Sequence, residues 1–225
     1  MFGLDDQIAS LGAGEAFLVV AVVAILLGLR HATDPDHLTA VSTLVAGDRA
    51  DTRGAGRLGL AWGMGHATTL FAFGLPIVLY RSYLPEAVQS GAEVLIGLVI
   101  VALAARLLVR WHAGRGPARA HAHPARSPLQ AYGIGLIHGI GGSAGVGVLL
   151  LASIPDHLEA VAALGLFAAF TAVSMALAST SFGWVLSRGG VQRSFVVVAP
   201  ALGALSLAFG LWYALGAVRA VPYVF

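Results

Sequence analysis

"GLRHATDPDHLTAV", residues Gly28–Val41, sets Arg30, His31, Asp34, Asp36 and His37 inside an otherwise apolar run from Ala16 to Ala46. That run is 31 residues long, about 46 Å as one straight helix at 1.5 Å per residue. A bilayer core of about 30 Å needs roughly 20 apolar residues, so the run must tilt, bend or break. Pro35 gives the break a place: it has no N–H to offer the carbonyl of His31, and its ring crowds that turn. A first helix kinked at Pro35 is therefore expected. In an unbroken helix His31, Asp34 and His37 share one face at i, i+3, i+6, and a kink or unwound turn brings Asp36 round to join them.

The rest of the chain reads as membrane protein too. Hydrophobic residues make up 58% and charged residues 11%, with a mean hydropathy of +0.84, far from the soluble average. Apolar segments at 16–46 (interrupted), 58–80, 87–109, 129–154, 160–186 and 195–217 predict an all-α integral membrane protein of about six transmembrane helices, one polytopic domain over 1–225. The N-terminal "MFGLDDQIAS" carries acids and no basic region, which argues against a cleaved signal peptide. Cysteine and lysine are both absent. That excludes disulfides, thiolate metal sites and the lysine of a phosphate-binding loop, so ATP hydrolysis by this chain is not expected. No nucleic-acid partner and no cofactor are expected either.

Arginine fixes the expected orientation. Arg49, Arg53 and Arg57, then Arg106, Arg110, Arg115, Arg119 and Arg126, then Arg188 and Arg193 fall on one side, against Arg81 and Arg219 on the other. Positive charge retained inside places both termini outside a cytoplasmic membrane. Tyr80, Tyr83, Trp111, Tyr132, Trp184, Trp212 and Tyr213 fall near span ends, where amphipathic rings favour the interface. A cytoplasmic linker at about 110–128, "WHAGRGPARAHAHPARSP" in its core, divides the spans three and three. The first group starts outside and the second inside, so a repeat between them has inverted topology, a common transporter plan.

Ionisable groups inside a span each cost around 2.5–3.5 kcal/mol on insertion scales and mark ion or substrate paths. Imidazole with carboxylate suits Ni²⁺, Co²⁺, Zn²⁺ or Fe²⁺, and the second carboxylate can orient a ligating histidine. The competing reading is a packed kink held by Arg30 with Asp34 or Asp36. Depth favours the ion. His37, His66 of "GMGHATT" and His138 of "GLIHGIGGSAG" lie nine, eight and nine residues from the cytoplasmic ends of their segments, all roughly 12 to 14 Å deep. Gly63, Gly65, Gly135, Gly139, Gly141 and Gly142 flank the last two and permit close helix approach.

"RHATDPDH" resembles the R-H-A-x-D-x-D-H signature of the nickel/cobalt transporter family through Arg30, His31, Ala32, Asp34, Asp36 and His37. "GHATT" is similar to that family's second motif at Gly65, His66 and Thr68. The resemblance implies a divalent-metal transporter with His31, Asp36, His37 and His66 at the ion site; His138, by its depth, is a weaker candidate, and Asp34 and Arg30 stand behind them. Family members usually have eight spans with acidic motifs in the later ones. Here six are expected and "IHGIGGSAG" carries no carboxylate, which is more similar to the shorter, urease-accessory-like branch. A metallochaperone or a urease or hydrogenase maturation factor is a partner left open by it. Export through the same site, or a membrane metalloenzyme with a fixed His/Asp-bound metal, are the alternatives, the second weakened by the lack of a zincin H-E-x-x-H motif.

Elsewhere, "IPDHLEAV" (Ile154–Val161) echoes the opening stretch, but Asp156 with Glu159 fits a helix start better than a metal site. His121 and His123 fit a solvated linker more readily than a metal-collecting loop. Glu93, Thr171, Ser174 and Met175 are minor path-lining candidates.

Overall fold

The computed structural model describes residues 4–48, 51–81, 85–113, 127–139, 144–189 and 194–222. Among them all regular structure is helical: α1 Leu4–His31, α2 Pro35–Asp48, α3 Thr52–Tyr80, α4 Glu86–His112, α5 Pro128–His138, α6 Ala144–Ala152, α7 His157–Ser187 and α8 Phe195–Ala217. The helices α3, α4, α7 and α8 are each long and apolar enough to cross a bilayer, and the pair α1 and α2 counts as a fifth crossing if its 50° bend lies within one span. His121 and His123 lie outside the described residues, as does most of the linker.

Two details depart from the expectation. The first is the kink. Thr33 N–H donates to Arg30 O (2.8 Å) and Asp34 N–H to His31 O (3.1 Å), so a tight turn satisfies the carbonyl that was expected to lack a partner. Leu38 N–H then donates to Asp34 O (3.0 Å), opening α2. Pro35 stands first in that helix, where a missing N–H is no loss and the fixed φ is already helical. The proline starts a second helix instead of bending a single one.

The second is segment 129–154. In place of one helix it holds α5 and α6, of 11 and 9 residues, each well short of the roughly 20 needed to cross alone. Five glycines fall between 139 and 147; each weakens a helix by about 1 kcal/mol relative to alanine. Gly139 closes α5, and its N–H bonds back to Gly135 O.

Polar caps hold the helix ends. Asp51 accepts from Gly54 N–H at the start of α3, Ser127 and Gln130 form a reciprocal capping box ahead of Pro128 on α5, and Asp156 accepts from Glu159 N–H on α7. The last is the capping role read from the sequence. It leaves His157 exposed at a helix end.

The longest helix contacts run between α3 and α7 and between α4 and α8; α1 lies along α7, and α5 along α3. Glycine makes these approaches possible. A Cβ on Gly63 of α3 would meet Ala172 Cα of α7 at 2.8 Å, and one on Gly97 of α4 would meet Gly210 O of α8 at 2.9 Å. One apolar cluster joins Val41, Leu44, Trp62, Ile96, Ile100, Met175 and Tyr213; a second joins Ala24, Leu70, Val148, Leu164 and Phe167. Leu18, Leu26, Leu98, Val197 and Leu205 remain exposed, an apolar belt suited to lipid.

Candidate metal centre

The polar residues of the opening stretch meet at the seam between the two clusters. His31 ends α1, Asp34 lies in the turn, and Asp36 and His37 open α2. His66 comes from the middle of α3 and His138 from the end of α5. All six are buried, with His66 and His138 at 0% exposure and His37 at 1%.

Two carboxylates hold two rings. Asp34 Oδ2 accepts from His31 Nδ1 at 3.2 Å, and Asp36 Oδ1 from His37 Nδ1 at 3.0 Å. A carboxylate on Nδ1–H fixes the tautomer and leaves Nε2 with its lone pair, the arrangement seen behind metal-bound imidazoles. His31 Nε2 lies 3.0 Å from His66 Nε2. His37 sits centrally, its ring centroid 4.5 Å from that of His31, 5.0 Å from His66 and 4.6 Å from His138. Its Nε2 has no hydrogen-bond partner, nor do Asp36 Oδ2, His66 Nδ1 and both nitrogens of His138. Asp36 Oδ2 and His138 Nε2 come within 3.3 Å. Native interiors pair nearly all buried polar atoms. So many orphans in one place point to something that joins them.

Among the described residues the possible donor sets are two. Atoms of His31, His37 and His66 lie within 4.8 Å of one another, and so do atoms of Asp36, His37 and His138. The charge-pair reading survives only at the edge, where Arg30 stays 72% exposed on its side chain and reaches Asp34 at 3.6 Å. Asp36, by contrast, faces imidazoles.

His138 reaches the site because α5 presses on α3. A Cβ on Gly135 would collide with the carbonyl oxygen of Trp62, one on Gly65 with that of Tyr132, and one on Gly139 would meet His66 O at 2.5 Å. Of the minor candidates, Ser174 donates to Leu29 O (2.6 Å) and Thr171 to Phe167 O (2.8 Å), while Met175 is core. Glu93 is half-buried on α4.

Two aromatic residues went unnoticed in the sequence. Trp62 lies 5.7 Å from the His37 ring and 5.5 Å from that of His138, and Phe167 lies 5.7 Å from His31. A short signal marks them. Gly28-Leu-Arg-His31 ends α1 and Gly135-Leu-Ile-His138 ends α5. In each case the glycine packs on the backbone of a long helix: Gly28 on Phe167 and Thr171 of α7, Gly135 on Trp62 and His66 of α3. Each leucine carbonyl accepts a hydroxyl from that helix, Leu29 from Ser174 and Leu136 from Thr69 (2.9 Å). Each histidine then meets an aromatic ring, Phe167 or Trp62.

The chain is 28% identical over 211 residues to the urease accessory protein UreH of Bacillus sp. (strain TB-90), covering 87% of this chain and 90% of that protein. The chain is a homologue of UreH. It is also 32% identical over 88 residues to a protein of Methanocaldococcus jannaschii whose name assigns it to nickel/cobalt efflux, covering 38% of this chain and 41% of that one. Both matches are consistent with the nickel/cobalt transporter family in its short, urease-accessory-like branch, which the motifs imply, and neither relative is named as an enzyme. Its apolar helices, with these relatives, support a multi-pass membrane protein. No family model and no solved structure matches the chain.

Proposed function

We propose that this protein carries a divalent transition-metal cation, Ni²⁺ or Co²⁺, across the cytoplasmic membrane through the His31, Asp36, His37, His66 and His138 cluster, with Asp34 orienting His31. The observation that carries this reading is the set of orphaned, fully buried nitrogen and oxygen atoms gathered around His37. Nitrogen and carboxylate donors without sulfur suit these borderline ions, and Asp34 and Asp36 offset their charge. The cation is substrate. It passes on and is not retained for chemistry.

Six spans in an inverted three-plus-three repeat fit this role. Each half then consists of a broken span followed by two long helices: α1/α2, α3 and α4, then α5/α6, α7 and α8. The reciprocal contacts of α1 with α7 and α5 with α3, and the matching Gly-Leu-x-His ends, support that plan. Alternating access would rock one half against the other around the ion. Both termini lie outside and the arginine-rich linker inside, in one domain over 1–225. Because cysteine is naturally absent, single cysteines at 50 and 120 should label only from the cytoplasmic side.

Import is favoured by the relative matched along nearly the whole chain, which is accessory to urease and so calls for a maturation partner on the inner face. Export through the same site is the second reading, favoured by the name of the shorter match. Reconstituted protein loaded with radiolabelled Ni²⁺ or Co²⁺ on either side tests both. The expected result is saturable flux that His37→Ala removes. Flux that survives His37→Ala at equal protein level would defeat the site.

A further inference from the structure

Resting on the transport reading, we infer that the centre holds two overlapping ion positions that share His37, occupied one at a time, and that the ion moves by passing between them. The two donor sets divide cleanly. His31 and His66 belong to the first, Asp36 and His138 to the second, and His37 alone belongs to both.

The chemistry of the two positions differs. The first is all imidazole, with its charge offset only indirectly, through Asp34 behind His31 and Asp36 behind His37. The second includes a carboxylate directly, since Asp36 uses Oδ1 on His37 and turns Oδ2 to His138 Nε2 at 3.3 Å. Divalent first-row ions bind both kinds of donor. One imidazole lone pair binds one cation at a time, and both positions need that of His37 Nε2, whose Nδ1 is held by Asp36, so the positions exclude each other. A partial exchange of ligands, with His37 kept throughout, spares the ion the loss of its whole coordination shell at once. The donors also come from different places: His66 from α3 and His138 from α5, on opposite sides of the linker. A rocking motion between the halves alters the distance from His37 to one partner relative to the other.

Exclusive occupancy has an arithmetic consequence. The overall association constant is the sum of the two single-position constants, so a variant lacking one position keeps the constant of the other. The better of His66→Asn and His138→Asn should therefore retain at least about half of the wild-type affinity, and the two constants should add up to the wild-type value. His37→Asn, and the double variant His66→Asn/His138→Asn, should fall by about 100-fold or more.

The experiment uses the full chain in detergent, titrated with Co²⁺ and read by its visible absorption band and by quenching of Trp62. Phenylalanine replaces Trp111, Trp184 and Trp212 so that Trp62 alone reports. His66→Asn and His138→Asn are expected each to bind one Co²⁺ per chain, with different spectra because one centre includes a carboxylate and the other does not. The metal-free melting temperature of each variant, within a few degrees of wild type, shows that it is folded; a variant that melts lower is replaced by His66→Gln or His138→Gln. Flux in vesicles should drop by at least tenfold in both, since a single position binds without handing on.

If wild-type protein binds no Co²⁺, the transport site itself is wrong. If wild type binds but both single variants lose affinity as His37→Asn does, there is one position and the hand-over is wrong. Wild-type flux in either variant likewise overturns it.

Discussion

The two broken segments, α1/α2 and α5/α6, begin alike and end differently. Each first helix finishes Gly-Leu-x-His, seats its glycine on the backbone of a long helix from across the linker, and brings its histidine against an aromatic ring. After His31 come Asp34, Pro35, Asp36 and His37, whereas no acidic residue follows His138 until Asp156. The first break is rich in ligands. The second, with five glycines between 139 and 147, supplies one imidazole and close approach. Breaking a helix and furnishing it with charge are thus separable tasks, here divided between two segments whose first helices end alike.

If that division is right, Asp36→Asn should have the largest effect on flux. It keeps the shape of the side chain but removes the charge beside His37 and His138. Loss of a group that orients a ligand costs up to 100-fold, and Asp36 also offers a ligand atom, so flux per folded molecule should fall by roughly 100-fold with little change in melting. An equal loss of melting temperature would show that the first break is structural as well.

Gly135→Ala should do the reverse. Its Cβ would strike the Trp62 carbonyl, an atom of backbone that cannot rotate away. Overpacking of this kind costs about 1–3 kcal/mol, read as a lower melting temperature and less folded protein. Gly28→Ala, facing Phe167 O at 2.6 Å, should behave alike. A neutral Gly135 with a damaging Gly28 would break the correspondence between the two segments.

Asp34→Asn comes next. The carboxylate accepts from His31 Nδ1 and lies 3.6 Å from Arg30, and an asparagine keeps one acceptor, so flux should fall by roughly tenfold. A drop as deep as that of Asp36→Asn would place Asp34 on the ion itself. Smallest is Pro35→Ala. Since α2 already starts at residue 35 and alanine is a good helix former there, flux and melting should both stay within about twofold and a few degrees. A straightened, inactive protein would restore the kinked single helix.

Much of this centre was legible in the sequence. The length of the run 16–46 and Pro35 announced a bend or break, and the common depth of His37, His66 and His138 anticipated their convergence, because rise per residue along a helix is nearly constant. What escaped has physical reasons. The run 129–154 is mostly apolar and glycine-rich, and hydropathy does not register that it holds two short helices in place of one. Pro35 reads equally as a bend or as a beginning; the turn hydrogen bonds of Thr33 and Asp34 decide, and these depend on tertiary packing. Gly-Leu-x-His is too short to stand out until contacts in space make its two copies comparable. Trp62 and Phe167 look like ordinary core residues, which they also are.

The placement of His138 bears on how the protein is made. Proteins are synthesised from the N-terminus, with earlier parts organising first. His31, Asp34, Asp36, His37 and His66 all emerge before α5 exists, and the groove at Gly65 waits for it. A half-finished chain thus carries one donor set without its neighbour. On the proposed hand-over, a cation held there has no second position to move to until the second half docks, so a growing polypeptide would open no leak in the membrane that receives it.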